Sequence, residues 1–138
     1  MLTQYGVVPV RFAADGTAQV LLITSRDTGR WVVPRGNPIA GKSPPESAAQ
    51  EAYEEAGIIG AVEPVALGFY SYEKRRRLGM TVPAVVHLFR MSVAEERDDW
   101  PEKGQRERRW FAVGEAASAV HEAELAQLIR LAADPSQK

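Results

Sequence analysis

A loop followed by a capped helix near the middle of the chain restricts the possible folds most strongly. In the stretch Pro34–Pro45, six of twelve residues are proline or glycine, which predicts a loop. Ser43 and Glu46 then form a Ser-x-x-Glu capping box, and Pro44 suits the first helical position. Gly57 is the expected end of this helix, because glycine adopts positive φ at little cost. Any fold must therefore present one helix that is entered from a long loop.

The length and composition predict one globular domain. The chain has 138 residues, and no repeat, low-complexity tract or Gly/Ser linker divides the predicted domain 1–138. It contains no cysteine, which excludes disulfide frameworks, thiolate zinc sites and cysteine nucleophiles. The 17 Lys and Arg residues nearly balance the 18 Asp and Glu residues, so a uniformly basic nucleic-acid binder is excluded. Acidic, hydroxyl and backbone groups remain as candidates for catalysis.

Apolar runs on both sides of the central helix predict a β-sheet. The predicted strands are 5–12, 18–25, 31–33, 65–72, 81–93 and 110–113, with a polar turn at 73–79. Residues 116–133 have helical spacing and are predicted to form one helix or two short ones. Tyr70 and Tyr72 should share one face of their strand, where core packing is favoured over base stacking. Strands with helices inserted between them indicate an α/β or α+β sandwich.

Three carboxylates fall on one side of the central helix. At about 100° per residue, Glu51, Glu54 and Glu55 share an arc of about 100°. The residues expected to face the core from the opposite arc are Ala49, Ala52, Tyr53 and Ala56. A solvated acidic surface is the ordinary interpretation of such a pattern. The open loop beside it favours a site for a hard divalent cation, which prefers oxygen ligands and keeps several waters.

The loop and helix together resemble the Nudix box, whose pattern is G-x5-E-x7-R-E-U-x-E-E-x-G-U, with U aliphatic. The 23 positions from Gly36 to Ile58 have the required spacing, and the residues that match are Glu51, Glu54, Glu55 and Gly57. The preceding run, 31–36, is similar to the segment before the box in diphosphoinositol polyphosphate phosphohydrolases. Asp99-Trp100 and the run 108–111 are similar to the C-terminal part of the same branch. The resemblance implies a Nudix-type α/β/α sandwich, with a mixed sheet and a loop–helix–loop motif.

The same resemblance implies hydrolysis of a diphosphate bond, with Mg²⁺ or Mn²⁺ as cofactor. The implied substrate is nucleoside diphosphate-linked or otherwise polyphosphorylated, and diphosphoinositol or dinucleoside polyphosphates are favoured. Glu51, Glu54 and Glu55 would be catalytic and would bind the metal together with the backbone carbonyl of Gly36. The residues that are possible further ligands, but more ordinary as surface charges, are Glu73, Glu95 and Glu96. The general base, the preferred ion and the oligomeric state stay open.

Two positions depart from the family pattern. Lys42 stands where the family usually has Glu, and Gln50 stands where it usually has Arg. In the family these side chains are thought to pair and to hold the catalytic helix against its loop. Because both have changed, neither leaves an unpaired buried charge. Reduced activity, or a non-catalytic module that binds a phosphorylated ligand, is the alternative prediction.

Four adjacent cations, Lys74, Arg75, Arg76 and Arg77, occupy the predicted polar turn. A solvated turn is the ordinary interpretation. A phosphate clamp for a polyphosphorylated small molecule, assisted by Arg35, Lys42 and either Arg26 or Arg30, is the functional one, because arginine binds phosphate oxygens in bidentate geometry. RNA binding through these cations and the run 106–109 is a weaker alternative, so nucleic acid is an unlikely partner. His87 and His121 are assigned no role.

The N-terminal residues lack the charged start and long apolar stretch of a secretory signal. The longest apolar stretch, 84–89, is far shorter than the ~20 residues that a membrane span requires. These features predict a cytoplasmic protein without a membrane partner.

Overall fold

The chain forms eight strands within residues 1–135, the part that the computed structural model describes. The last three residues of the predicted domain 1–138 lie outside that range. The strands are β1 (Leu2–Phe12), β2 (Ala18–Thr24), β3 (Trp31–Val32), β4 (Arg35–Gly36), β5 (Ile58–Val62), β6 (Gly68–Arg75), β7 (Thr81–Glu96) and β8 (Arg108–Ala112). The helices are α1 (Pro44–Ala56), α2 (Val113–Ala119) and α3 (Ala123–Ala132), with a 3₁₀ turn at Arg77–Gly79. None of the helices in the described range has the length and hydropathy needed to cross a bilayer.

The two long strands, β1 and β7, lie parallel at the centre of a mixed sheet. Each long strand carries shorter antiparallel strands on its outer edge. β7 pairs with β6 along its first half and with β5 along its second half. β1 pairs with β4 near Tyr5 and with β2 near Val10, and β2 continues the sheet to β3 and β8. The short strand β4 thereby brings the loop before α1 against the middle of the sheet.

Helices cover both faces of this sheet, which confirms the predicted α/β/α sandwich. Neighbouring strand residues point to opposite faces, so Val7 packs on the α1 side while Val8 packs on the side of α2 and α3. On the α1 side the helix contributes the small residues Ala48, Ala52 and Ala56. The residues at the centre of the other layer are Leu22, Tyr70, Leu88, Leu125 and Ile129, all fully buried.

The predicted ends of α1 are confirmed. The Ser43 hydroxyl accepts a hydrogen bond from the Glu46 amide at 3.3 Å, and the Glu46 carboxylate accepts one from the Ser43 amide at 2.7 Å. Gly57 ends the helix in the left-handed region, at φ 67°. A Cβ at this position would also lie 2.6 Å from Cδ2 of Trp100, so glycine is required for two reasons.

The structure corrects the sequence-based interpretation at several elements. Strand β4 lies inside the predicted loop, and strand β5 follows Gly57 without having been predicted. Both are short and are formed by pairing with distant strands, so local sequence signals them weakly. Strand β6 begins three residues later than predicted and extends to Arg75, which shortens the predicted turn, and β7 extends at its other end to Glu96. The C-terminal segment forms two helices, one of the two outcomes expected.

The core face of α1 also differs from the predicted one. Ala48 and Glu55 are buried, whereas Ala49 and Tyr53 are only partly buried and line an outer groove. The buried face is centred on the row formed by Ala48, Ala52 and Ala56, which follows the i, i+4, i+8 spacing of a helix. This rotation carries Glu55 towards the interior.

Candidate functional site

A cleft of about 820 Å³ opens beside the acidic face of α1. Its walls come from the turn between β2 and β3, from β4, from β6, from the segment after β7, and from the junction of α2 and α3. Among the described carboxylates that line it, four come from α1 and from the segment after β7, and these are Glu51, Glu54, Glu55 and Glu102. The cleft is therefore the place where the loop–helix motif meets residues distant in sequence.

The three carboxylates of α1 have different surroundings. Glu55 is 8% exposed, while Glu51 and Glu54 are partly buried. One carboxylate oxygen of Glu55 accepts a hydrogen bond from the backbone amide of Arg35 at 3.2 Å. The Glu54 carboxylate accepts one from the side-chain amide of Gln50 at 2.6 Å. Gln50, at the position where the Nudix pattern has Arg, therefore contacts one of the candidate catalytic carboxylates directly.

Gly36 lies directly against the Glu51 side chain. A Cβ built on Gly36 would lie 2.2 Å from the carboxyl carbon Cδ of Glu51. Any larger residue would therefore displace this carboxylate. The glycine that opens the box thus places its backbone next to the first carboxylate of the helix.

Burial changes the proton affinity of these groups. Burial raises the pKa of Glu55 to about 8; Arg106 opposes the rise and Glu51 adds to it. Burial also raises the pKa of Glu51, and the charge of Glu54 adds to the effect. Burial therefore outweighs the attraction of Arg106, so these two carboxyl groups hold their protons more strongly than exposed ones would.

The donor chemistry fits a hard divalent cation. Carboxylate and carbonyl oxygens are the ligands that Mg²⁺ and Mn²⁺ prefer. Within residues 1–135, no three acidic or histidine side chains already surround one ion position. Glu54 and Glu55 are instead hydrogen-bonded to Gln50 and Arg35. Side-chain rotation would therefore have to bring the carboxylates onto an ion.

The predicted phosphate-binding cations are only partly brought together. Arg35, Lys74 and Arg75 line the cleft, whereas Arg76 and Arg77 are not among the described residues that line it. Lys42 lies outside it as well, in a second groove that it shares with Gln50. The cations that line the cleft also include two from the turn between β2 and β3, Arg26 and Arg30.

The side chain of Arg35 is held by two tyrosines. Its Nη1 donates to the Tyr70 hydroxyl at 2.7 Å, and its guanidinium lies 3.8 Å from the centre of the Tyr72 ring. The Tyr72 hydroxyl donates to Gln4. Tyr70 and Tyr72 share a face as predicted, with Tyr70 in the core. They also orient a cation at the cleft, a contact that the alternation of the strand does not reveal.

Sequence reasoning did not place Glu102 and Arg106 at the carboxylates of α1. Arg106 Nε binds Glu102 at 2.8 Å, and Arg106 Nη2 lies 3.7 Å from the Glu55 carboxylate. Their i, i+4 spacing is visible in the sequence, but only the fold brings them to α1. His121, to which no role was assigned, lines the cleft too.

The further acidic candidates lie in different places. Glu73 lines the cleft and accepts a hydrogen bond from Thr81 at 3.0 Å. Glu95 pairs with Arg97, and Glu96 pairs with Arg11. The structure therefore places only Glu73 of these three near the carboxylates of α1.

Comparison with known proteins places this arrangement in a family. The model of the NUDIX domain matches residues 3–132. Nudix hydrolase 21, chloroplastic, of Arabidopsis thaliana is 33% identical over 80% of this chain and 56% of its own length. Nudix hydrolase 17, mitochondrial, of the same plant is 34% identical over 85% of this chain and 65% of its own. The chain thus spans between half and two thirds of the length of these relatives.

A third relative and a solved structure agree. Diphosphoinositol polyphosphate phosphohydrolase 2 of Rattus norvegicus is 28% identical over 91% of this chain and 70% of its own. An Ap4A hydrolase of C. elegans, solved as a binary complex, has a TM-score of 0.68 at 20% identity, covering 94% of this chain and 93% of that one. The second likeness concerns the fold alone. With its box, its sandwich and its matched residues 3–132, the chain belongs to the Nudix family.

Proposed function

We propose that this chain is a divalent-metal-dependent pyrophosphohydrolase that acts on a polyphosphorylated small molecule. The observation that carries the proposal is the cleft, which the carboxylates of α1 line together with cations from β4 and β6. Anionic oxygen ligands suit a metal, and cations suit phosphate groups. Diphosphate hydrolysis requires both within the reach of one substrate.

Glu51 and Glu55 are the favoured metal ligands, with Glu54 and the Gly36 carbonyl completing the set. When bound, Mg²⁺ or Mn²⁺ supplies charge neutralisation at phosphate oxygens and lowers the pKa of water. Water would attack one phosphorus of the diphosphate, and one of the three carboxylates would accept its proton. The other phosphate would then leave. Arg35, already oriented by its tyrosines, would contact the phosphate chain without losing further side-chain freedom.

A diphosphoinositol polyphosphate or a dinucleoside polyphosphate is the favoured substrate. Lys74 and Arg75 line the cleft in addition to Arg35, so more than two phosphate groups would find partners. The rat relative bears the name of a diphosphoinositol polyphosphate phosphohydrolase. A cytoplasmic location and a small-molecule partner rather than nucleic acid stay predictions.

A weakly active or purely binding module is the second candidate, and one observation favours it. Gln50 holds Glu54 through a neutral amide, where the family pattern has an arginine. An amide offers fewer donors and no charge. Such a module would bind the same phosphorylated ligand without turnover.

A turnover screen separates these candidates. It uses Mg²⁺ and Mn²⁺ with diphosphoinositol polyphosphates, dinucleoside polyphosphates, nucleoside diphosphate sugars and nucleoside triphosphates. Release of phosphate or a mononucleotide from a polyphosphorylated substrate supports the hydrolase. Tight binding by calorimetry without product, at saturating metal, supports the binding module instead.

Variants then test the assigned site. Glu51→Gln and Glu55→Gln should each remove most activity and weaken Mg²⁺ binding, because each loses an anionic ligand. Gly36→Ala should do the same while keeping every carboxylate, since its Cβ would push the Glu51 carboxylate aside. Gly114→Ala is the matched control, because a Cβ there meets no atom within 4 Å among described residues. Unchanged turnover in the two Gln variants would remove α1 from the reaction.

A further inference from the structure

The C-terminal end of α1 is held by one distant segment. The last four carbonyl groups of a helix lie beyond the reach of its own amides. In α1 each of them accepts a hydrogen bond, and three of the four described donors come from residues 100–108. The hydrogen bonds run from Gly57 N to Tyr53 O (2.9 Å), from Glu102 N to Glu54 O (3.0 Å), from Trp100 Nε1 to Glu55 O (3.3 Å) and from Arg108 Nη1 to Ala56 O (2.8 Å).

This segment, residues 97–108, is also braced internally and is called the clamp below. The Arg97 amide donates to Gly57 O at 2.7 Å, which adds a contact just beyond the helix. Arg108 donates through Nη2 to Arg97 O at 2.8 Å, and its guanidinium lies 4.0 Å from the Trp100 ring. The Trp100 ring itself rests against Gly57, where any Cβ would collide with it. The donors of the clamp therefore support one another.

The clamp grips the residues whose side chains form the candidate site. Glu54 and Glu55 present their carboxylates to the cleft and their carbonyls to Glu102 and Trp100. A shift of the last helical turn would therefore move both carboxylates together. The Glu54 carboxylate itself is held, among the described contacts, by a single hydrogen bond from the Gln50 side-chain amide.

We propose that Trp100 and Arg108 are positioning residues, which hold the last turn of α1 at the location that the reaction requires. This inference rests on the proposed function. Neither side chain lines the cleft among the described residues, so both act through the backbone of Glu55 and Ala56. A helix end with a fixed position presents its carboxylates with less reorganisation when metal and substrate bind.

Two variants test the proposal. Trp100→Phe keeps an aromatic ring but removes the N–H donor, and Arg108→Lys keeps the charge but loses the planar, two-sided contact. Each should lower kcat and the affinity for Mg²⁺ by about tenfold or more, with KM changed by less than about twofold, as for supporting contacts around metal ligands. Steady-state kinetics and calorimetric Mg²⁺ titration give these quantities.

Two residues of the same types in β8 supply matched controls. Trp110 Nε1 has no hydrogen-bond partner within residues 1–135. Trp110→Phe therefore removes an indole N–H without breaking a hydrogen bond in that range. Arg109 stacks on Phe111, with its guanidinium 4.5 Å from the ring centre, so Arg109→Lys is the control for charge and length. Both controls should keep kcat and Mg²⁺ affinity within about twofold of the parent, outside the range of supporting contacts.

A purely structural role predicts a different result. The Trp100 and Arg108 variants would then melt earlier but keep the parent kcat and Mg²⁺ affinity well below their melting temperatures, which would overturn the proposal. Should neither variant fold, hydrogen exchange on the parent decides. Coupling is reciprocal, so Mg²⁺ should slow exchange of the Glu102 amide, and unchanged exchange would overturn the proposal. A parent that neither binds Mg²⁺ nor hydrolyses any diphosphate instead overturns the proposed function, and the positioning role with it.

Discussion

At the scale of single residues, Glu55 gives the metal-free protein an unusual pH dependence. Its pKa is about 8 in the fold and near 4.5 in the unfolded chain. Between these values the folded state holds a proton that the unfolded state has lost, so raising the pH favours unfolding. We expect the melting temperature without metal to fall from about pH 5 to about pH 8, measured by circular dichroism.

Glu55→Gln is the control, because an amide of similar shape does not titrate and should flatten this decline. Glu51 acts in the same direction, since burial raises its pKa as well. Metal binding requires the carboxylates to lose their protons. Added Mg²⁺ should therefore raise the melting temperature more at about pH 8 than at about pH 5. A parent melting temperature that rises steadily with pH would contradict this account of the cleft.

The residues of the candidate site were predictable to the extent that their signal is local. Glu51, Glu54 and Glu55 share a helical arc, and Gly36 stands at a fixed spacing before them. Arg106 carries no such signal. Its approach to Glu55 depends on the path of the chain after β7, which no pattern within either segment specifies.

At the scale of elements, the pair of positions thought to hold α1 against its loop, 42 and 50, departs from the family pattern. Lys42 and Gln50 line the same outer groove, so an acid at 42 would lie on the same surface as an arginine at 50. We expect Gln50→Arg alone to give little gain in kcat, because it adds a cation beside Lys42. Combined with Lys42→Glu, it should raise kcat by more than the two single changes together, through coupling of roughly 0.5–3 kcal/mol.

A double-mutant cycle on kcat measures this coupling, with thermal melts to confirm folding. If Gln50→Arg alone restores a high rate, Lys42 is not the partner of that position. In that case the Glu54 carboxylate, which already accepts the Gln50 amide, would be the partner. If all variants stay as slow as the parent on every diphosphate, the binding module becomes the better interpretation.

Helix α1 was predictable because its determinants are contiguous: a capping box, a proline at the first position and a glycine after the last. Strands β4 and β5 were not. β4 has two residues and is formed by pairing with β1, and β5 contains Gly60 and an irregular register against β7. Such strands are stabilised by their partners rather than by their own propensity.

At the scale of the whole molecule, a formal charge of −1 conceals a concentration of charged side chains of both signs around one cleft. The carboxylates of α1 line it together with Lys74 and Arg75 of β6, and Glu73 of the same strand lines it too. The four cations of 74–77 divide between two environments, because Lys74 and Arg75 line the cleft while Arg76 and Arg77 are not among its described lining residues. Arg76 and Arg77 can therefore serve as controls for Lys74 and Arg75.

This division leads to a prediction about substrate binding. Lys74→Gln with Arg75→Gln should raise KM by about tenfold for the substrate with most phosphates, because charge-assisted hydrogen bonds to phosphate are lost. The same pair should have little effect on a simple nucleoside triphosphate. Arg76→Gln with Arg77→Gln removes the same charge, yet should change KM little for either substrate. Steady-state kinetics at two salt concentrations separate contact from long-range attraction, since salt screens only the latter strongly. Equal increases in KM for both pairs would mean that residues 74–77 act as a general positive surface rather than as a phosphate-binding site.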